Sequence, residues 1–154
     1  MTTTTGTDRI EQTVELRAPV ARVWRALTTT SEFGTWFRAR LDGEFVEGAT
    51  LRGHITYPGY EHLRIEMRIE RIEPQTRFAF RWHPYAVDPA ADYSDEPMTL
   101  VEFLLEPTQA GARLTVIESG FDRLPLARRA EAFRMNEGGW TEQMQNIARH
   151  VSQS

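Results

Sequence analysis

Apolar and polar residues alternate in several stretches before residue 120 of the chain. In the first of these stretches, Ile10, Val14 and Leu16 share one parity and the charged Glu11 and Glu15 share the other, which is typical of a half-buried strand. The same period predicts strands over residues 9–17, 50–57, 62–73, 77–83, 98–106 and 112–119. Turn signals between Leu41 and Gly120 leave room for one further strand, so we expect seven.

Three other stretches follow the helical period. Apolar residues at i, i+3, i+4 and i+7 predict a short helix that begins at Pro19 and buries Val20, Val23, Trp24 and Leu27. A second short helix is predicted by Phe33, Trp36 and Phe37. Near the C-terminus, spacings of seven, four, three and four predict one long helix with a single apolar face, formed by Phe133, Trp140, Met144, Ile147 and Val151.

Gly138 and Gly139 interrupt this long stripe immediately before Trp140. Each glycine inside a helix lowers its stability by about 1 kcal/mol relative to alanine. Two explanations stay open. The missing side chains let the helix bend or approach the sheet closely, or they leave room for a ligand.

The order of elements predicts an α+β fold, because the strands and the long helix are segregated along the chain. We expect a seven-stranded antiparallel curved sheet wrapped on the long C-terminal helix, with the two short helices after the first strand bracing one end. A long helix across a curved sheet leaves a cavity, where we expect the function. Residues 1–8 are predicted to be a disordered leader, residues 9–152 a single domain, and residues 84–97 a loop long enough to serve as a lid.

Composition removes several classes of function. The formal net charge of -4 lacks the basic excess typical of nucleic-acid binding. The chain has no cysteine and all 18 of its basic residues are arginine, which excludes disulfides, thiolate nucleophiles, a Schiff-base lysine and a P-loop. No apolar run is long enough for a membrane span, and the first residues lack the features of a signal peptide, so we expect a cytoplasmic protein.

Taken together, the motifs resemble a known family. The segments that carry the likeness are APVARVWRAL at 18–27, Trp36–Phe37 with DGEF at 42–45 and EG at 47–48, RFAFRW at 77–82, and ESGF at 118–121 with Gly139–Trp140. In this order they are similar to the START-like, or SRPBCC, superfamily with its helix-grip fold. Within it, they resemble the branch homologous to the activator of the heat-shock-protein-90 ATPase, in its bacterial single-domain form.

The resemblance implies an apolar cavity under the long helix. Relatives use such a cavity to bind lipids, steroids or polyketides, and some cyclise or dehydrate aromatic polyketides there. The resemblance supplies no shared catalytic motif and implies no cofactor. Eukaryotic co-chaperones of the branch carry an additional N-terminal domain that this sequence lacks, so chaperone activation is the less favoured expectation.

A set of large apolar residues on the expected concave face, together with one acidic residue, forms the predicted ligand-binding wall. Such walls, mostly apolar with few polar groups, are typical of small-molecule sites. Each of these residues is equally compatible with an ordinary core position. The set is Trp24, Phe33, Trp36, Phe80, Trp82, Val101, Phe103, Leu114, Val116, Glu118, Phe121, Phe133, Trp140 and Met144.

Glu118 is the candidate for chemistry, because period two places it on the same strand face as Leu114 and Val116. A carboxyl group facing an apolar cavity is desolvated, which makes it a candidate acid or base. His54 and His83 are candidate partners, although either face of the His54 strand could point inward. The histidine spacing fits no metal motif, so we predict no metal site.

The leading expectation is therefore a protein that binds a small hydrophobic or aromatic molecule, such as a lipid or polyketide, between sheet and helix. Two alternatives stay open. One is a cyclase or dehydratase that uses Glu118 and a histidine, and the other is a chaperone-interaction module. We expect a monomer or weak dimer, with no nucleic-acid partner.

Overall fold

The computed structural model describes residues 8–88 and 90–152, so residues 1–7 of the predicted leader lie outside the described residues. Over the described ranges it has seven strands, one short 3-10 turn and three α-helices, and the predicted α+β helix-grip fold is confirmed. The strands are β1 Arg9–Leu16, β2 Ala39–Asp42, β3 Thr50–Ile55, β4 Arg64–Glu73, β5 Arg77–Trp82, β6 Thr99–Pro107 and β7 Ala112–Ser119. The helices are α1 Val20–Thr28, α2 Thr30–Phe37 and α3 Leu126–Ser152.

The strands form one antiparallel sheet in the order β1-β7-β6-β5-β4-β3-β2. The first strand pairs with the last, since Arg9 is opposite Ser119 and Leu16 is opposite Ala112. Asp8, the last residue of the predicted leader, also belongs to the fold, because its carbonyl oxygen accepts hydrogen bonds from the backbone of Gly120 at 3.1 Å and of Phe121 at 3.2 Å.

The two faces of the sheet differ because apolar and charged residues alternate along the strands. The concave face is apolar and fully buried at β5, β6 and β7, where Phe80, Phe103 and Val116 have 0% exposure. The convex face carries cross-strand ion pairs, which are Arg52–Glu66, Arg81–Glu70, Arg77–Glu102, Arg113–Glu15 and Arg113–Glu106. The sheet therefore buries one side only, and the helices cover that side.

The long helix α3 spans 27 residues, and its predicted apolar stripe faces the sheet. Trp140, Met144, Ile147 and Val151 are all buried, with at most 4% exposure. The first member of the stripe, Phe133, is only partly buried and packs against Phe121, with ring centroids 5.2 Å apart. The apolar stripe therefore contacts the concave face through the C-terminal half of α3, from Trp140 to Val151.

The short helices α1 and α2 fill the space between α3 and the sheet. The ring of Phe33 stacks on that of Phe37 at 4.8 Å and meets Phe45 edge-on at 5.5 Å. The indole N–H of Trp36 donates to the carbonyl oxygen of Ala26 at 2.9 Å, which satisfies the polar atom of a buried ring.

Glu32 ties these short helices to the end of α3. Its carboxylate accepts hydrogen bonds from Arg22 at 2.8 Å and Arg25 at 3.0 Å, and lies 2.9 Å from Nε2 of His150. Partial burial opposes the charge of Glu32, but the hydrogen bonds from His150, Arg22 and Arg25 outweigh it and lower the pKa of the carboxyl group. The folded state thus binds the Glu32 proton less tightly than the unfolded chain does.

A lowered pKa contributes stability that is present above the unfolded value and is lost as the pH falls through the folded value. We expect Glu32→Gln to lower the free energy of unfolding by about 1 kcal/mol at pH 7, and the difference from wild type to shrink in acid. Urea unfolding of both proteins from neutral to acidic pH measures this. A difference that is unchanged over that range would contradict the assignment.

Candidate functional site

Glu118 is a buried carboxyl group on the apolar concave face, at the penultimate position of its strand. It lies on β7, opposite Ile10 of β1 and Val101 of β6, and its exposed fraction is 0%. Leu114 and Val116 on the same strand are also fully buried, so the alternation along β7 points Glu118 inward as the sequence indicated.

Within the described residues, four side chains donate hydrogen bonds to this carboxyl group. Oε2 accepts the indole N–H of Trp82 at 2.7 Å and the hydroxyl of Thr99 at 2.5 Å. Oε1 accepts the indole N–H of Trp140 at 2.8 Å and the amide N–H of Asn136 at 2.9 Å. These donors come from β5, β6 and α3, so one carboxyl group joins the centre of the sheet to the long helix.

The hydrogen-bond donors around Glu118 match the acceptor positions of its carboxyl group in number. Burial raises the pKa of the Glu118 carboxyl, while the hydrogen bonds from Thr99, Trp82, Trp140 and Asn136 oppose that rise. A carboxylate has about four acceptor positions, and these four donors fill them. Glu118 therefore positions other side chains and has no acceptor position left for a ligand.

Neither of the candidate histidines is among these partners of Glu118 in the described part of the chain. His54 is exposed on β3, where it lies opposite Arg40 and Arg64 on the strand face that turns away from Leu51. His83 is partly buried, and its Nε2 lies 3.1 Å from the carbonyl oxygen of Glu96. The acid–base pair considered from the sequence is not formed in this structure.

The space predicted to be a cavity under α3 is filled by aromatic rings. Trp140 stacks on Trp82 at 5.8 Å and meets Phe103 edge-on at 5.7 Å, while Phe80 lies 5.2 Å from Trp82. Most of the predicted wall residues are buried in this packing, namely Phe33, Trp36, Phe80, Val101, Phe103, Leu114, Val116, Phe121, Trp140 and Met144. Trp24 and Phe133 are partly buried against the same core. A role for these residues in ligand binding stays a prediction.

Open space lies instead at one end of the sheet, in a cleft of about 1360 Å³. Its sides are the chain between β3 and β4, the loop that follows β5, and the middle of α3. Trp82 borders it, as do Phe37, Ile55 and Val87, and the histidines 54 and 83 lie at its edge. The lining of the cleft is thus mixed, since charged residues such as Arg38, Arg52 and Arg64 accompany these apolar side chains and the indole that Glu118 holds in place.

The face of α3 toward the cleft is centred on Gly139. Met135, Asn136, Glu142, Gln143 and Asn146 border the cleft. At about 100° per residue, Gly139 lies in the middle of this group. A Cβ atom built on Gly139 meets nothing within 4 Å, so the glycine leaves open space. A Cβ atom built on Gly138 also meets nothing within 4 Å. Close approach of α3 to the sheet is therefore not the reason for either glycine.

The loop after β5 is held in shape by Arg128 in the first turn of α3. Arg128 donates to Glu96 at 2.8 Å and to the carbonyl oxygens of Pro84 at 3.0 Å and Tyr85 at 3.2 Å, and its guanidinium lies 4.8 Å from the ring centre of Tyr93. Tyr85 has a φ of 51°, a left-handed conformation that is uncommon for a bulky residue. The predicted lid is therefore an anchored wall of the cleft.

Two negative findings apply to residues 8–88 and 90–152. No group of three or more histidine, aspartate or glutamate side chains is placed to hold a metal ion. None of the helices in these ranges combines the length and the apolar character needed to cross a bilayer.

Sequence reasoning missed the polar face of α3. Asn136, Gly139, Gln143 and Asn146 are spaced by three, four and three residues, which is the same period that identified the apolar stripe beside them. A search for amide side chains at helical spacing around the glycine pair would have found this face.

Comparison with known proteins agrees with the geometry. The family model described as Activator of Hsp90 ATPase homolog 1-like protein matches residues 17–152. No curated protein is significantly similar to the chain in sequence.

Several solved structures share the fold. Protein MLL2253 from Mesorhizobium loti is 20% identical, with a TM-score of 0.75, and the match covers 95% of this chain and 98% of that one. A protein from Arthrobacter aurescens has a TM-score of 0.78 at 20% identity, over 96% of this chain and 88% of that one. DynU16, a protein of the dynemicin biosynthetic locus, is 24% identical with a TM-score of 0.72, over 94% of this chain but 47% of DynU16.

The contacts of Glu118 predict how the site responds to a neutral replacement. Each carboxyl oxygen receives an indole N–H, so in Glu118→Gln the amide NH2 faces a donor in either orientation. A buried donor without an acceptor costs about 1–3 kcal/mol, and we expect that loss in the free energy of unfolding together with altered near-ultraviolet circular dichroism of the tryptophans.

Glu102→Gln is the matched control, because Glu102 pairs with Arg77 on the partly exposed convex face. We expect it to change stability by less than about 1 kcal/mol and to leave the tryptophan signal intact. Equal effects of the two substitutions would show that the donors around Glu118 are not what the fold depends on.

Proposed function

The chain belongs to the family of Activator of Hsp90 ATPase homolog 1-like proteins, within the START-like superfamily, and we propose that it binds a small hydrophobic, aromatic molecule in the cleft beside Trp82 and α3. The observation that carries the proposal is the cleft itself, which is bordered by the indole of Trp82, held by a buried carboxyl group, and by α3 residues on both sides of Gly139. The molecule enters from the end of the sheet and does not require the packed core to open.

Apolar side chains at the mouth of the cleft support a hydrophobic ligand. Tyr57, Tyr60 and Met135 border the cleft and are 43%, 53% and 41% exposed. Exposed apolar area is unfavourable in water by about 25 cal/mol for each Å², so covering these side chains contributes to binding. The rings of Tyr57 and Tyr60 lie 5.7 Å apart and present a surface suited to a flat aromatic molecule.

The volume of the cleft also supports a small molecule. Ligand sites typically enclose about 300–1,000 Å³. This cleft has a volume of about 1360 Å³, so a molecule of ordinary ligand size would occupy only part of it, and we expect that part to be next to Trp82.

The contacts of Glu118 favour binding over acid–base catalysis. A general acid or base must reach the reacting proton directly or through one water. Glu118 is fully buried behind Trp82 and Asn136, and its acceptor positions are filled by four donors among the described residues. The cyclase or dehydratase alternative thus lacks a free carboxylate at the place where the sequence suggested one.

The chaperone-interaction alternative has less support from the surface. An apolar patch on the convex face of the sheet would favour a protein partner. The described part of that face carries arginine–glutamate pairs instead. One relative of the same fold, DynU16, comes from a biosynthetic locus, which is a setting compatible with small-molecule binding.

The glycine pair on α3 provides a test with a built-in control. Gly139→Phe adds a ring at the centre of the α3 face that borders the cleft, whereas Gly138→Phe adds one about 100° away around the helix. Both changes raise helix propensity by a few tenths of a kcal/mol, so we expect neither to destabilise the fold.

The probe is N-phenyl-1-naphthylamine, a neutral apolar fluorophore, titrated into the wild type and both variants. We expect one molecule to bind per chain, Gly139→Phe to weaken binding at least about tenfold because the ring occupies the site, and Gly138→Phe to match the wild type. Failure of the wild type to bind this probe and other neutral aromatic compounds would overturn the proposal, and so would equal binding by the two variants.

A further inference from the structure

We propose that Asn136 determines ligand specificity in the cleft, and that its carbonyl oxygen accepts a hydrogen bond from an aromatic ligand bearing a hydroxyl or N–H donor. The inference rests on the proposed function, since it assigns a chemical class to the molecule bound in the same cleft. It follows from the orientation that Glu118 imposes on the Asn136 side chain.

Glu118 decides which end of the Asn136 amide faces the cleft. The amide nitrogen donates to Oε1 of Glu118 at 2.9 Å. In the opposite orientation the amide oxygen would face an oxygen that already accepts the Trp140 N–H, and two acceptors would be in contact. The nitrogen therefore points to Glu118, which leaves the carbonyl oxygen as the outward end of the amide.

Protonation of Glu118 does not reverse this orientation. The hydroxyl of Thr99 lies 2.5 Å from Oε2, and a hydroxyl group can accept as well as donate. A proton on the carboxyl group is therefore accommodated at Thr99, on the oxygen that Asn136 does not contact.

The carbonyl oxygen of Asn136 is an available acceptor on this helix face, in addition to the exposed carboxylate of Glu142, which also borders the cleft. Asn136 is partly buried and borders the cleft, and no side-chain or backbone donor to its carbonyl oxygen is present among the described residues. Gln143, by contrast, donates to the carbonyl oxygen of Phe37 at 2.9 Å and accepts from Asn146 at 3.1 Å, and Arg149 donates to Asn146. Of the two acceptors, Asn136 and Glu142, Asn136 is the one that Glu118 holds together with the indole of Trp82, so a donor on a ligand beside Trp82 is expected to meet the Asn136 carbonyl oxygen.

The same carboxyl group also holds the aromatic surface next to this acceptor. Trp82 donates to Oε2 while Asn136 donates to Oε1, so the indole and the amide are held by two oxygens of one side chain. The open space over Gly139 lies one helical turn along α3 from Asn136. A flat ligand that occupies this space beside Trp82 has its edge within reach of Asn136.

The proposal is tested with two probes that share a ring system. 2-Naphthol carries a hydroxyl donor, and 2-methoxynaphthalene has the same rings without the donor. One neutral hydrogen bond contributes about 1 kcal/mol, so we expect the wild type to bind 2-naphthol roughly fivefold to tenfold more tightly, measured by tryptophan quenching and calorimetry. In Asn136→Leu, which keeps the branched shape of the side chain and removes the acceptor, we expect the ratio to fall to about one, with the affinity for 2-methoxynaphthalene retained.

Gln145→Leu is the control, because Gln145 is exposed on α3 and does not border the cleft. We expect this variant to keep the wild-type ratio of the two probe affinities. The ratio of the affinities for 2-naphthol and 2-methoxynaphthalene is measured first on the wild type alone, so the inference stays testable if Asn136→Leu does not fold. Equal affinity of the wild type for both probes overturns the inference and leaves the proposed function standing. A ratio that persists in folded Asn136→Leu assigns the acceptor to another group and overturns the inference, and failure of both probes to bind counts against the proposed function.

Discussion

The structure depends on one buried carboxyl group. Glu118 has no exposed surface and accepts hydrogen bonds from Trp82, Thr99, Asn136 and Trp140 in the described part of the chain. Burying a carboxyl group in an apolar core is unfavourable unless its hydrogen bonds are replaced, and here every acceptor position is used. Because the donors come from β5, β6 and α3, the same contacts that satisfy the charge also set where the helix crosses the sheet.

This constraint explains why the open space is at the end of the sheet. The two indoles that reach Glu118 stack on each other at 5.8 Å, and the rings of Phe80 and Phe103 pack against them. Because those rings fill the concave face beside Glu118, a ligand next to Trp82 has room beyond them, where residues of α3 such as Asn136 and Gln143 border the cleft. The network that closes the core therefore also shapes the inner wall of the cleft.

Much of the fold was predictable because the strands and helices follow from the spacing of apolar residues along short stretches of sequence. Alternation located six of the seven strands and pointed Glu118 inward, and the spacing after Phe133 predicted the buried face of α3. The short strand β2, Ala39–Asp42, was not located by alternation. The donors were not predictable, because Trp82 lies 36 residues before Glu118 and Asn136 lies 18 after it, and a period contains no information on which distant side chains meet. The strand face of His54 and the location of the cleft also depended on packing that the sequence leaves open.

When a residue contributes both to the fold and to the ligand site, a loss of binding after its substitution does not by itself show that it has a functional role. Any change at Glu118 releases Trp82, Trp140 and Asn136 together, so a weakened ligand contact and a weakened core would appear as one effect. The more separable positions are those on α3 whose substitution leaves the indole–carboxyl contacts in place. A side chain introduced at Gly139 adds bulk without removing a contact, and a substitution of Asn136 removes one of the four donors to Glu118 among the described residues. In this fold, function is best tested from the helix side, where a side chain can change while the indole–carboxyl contacts remain.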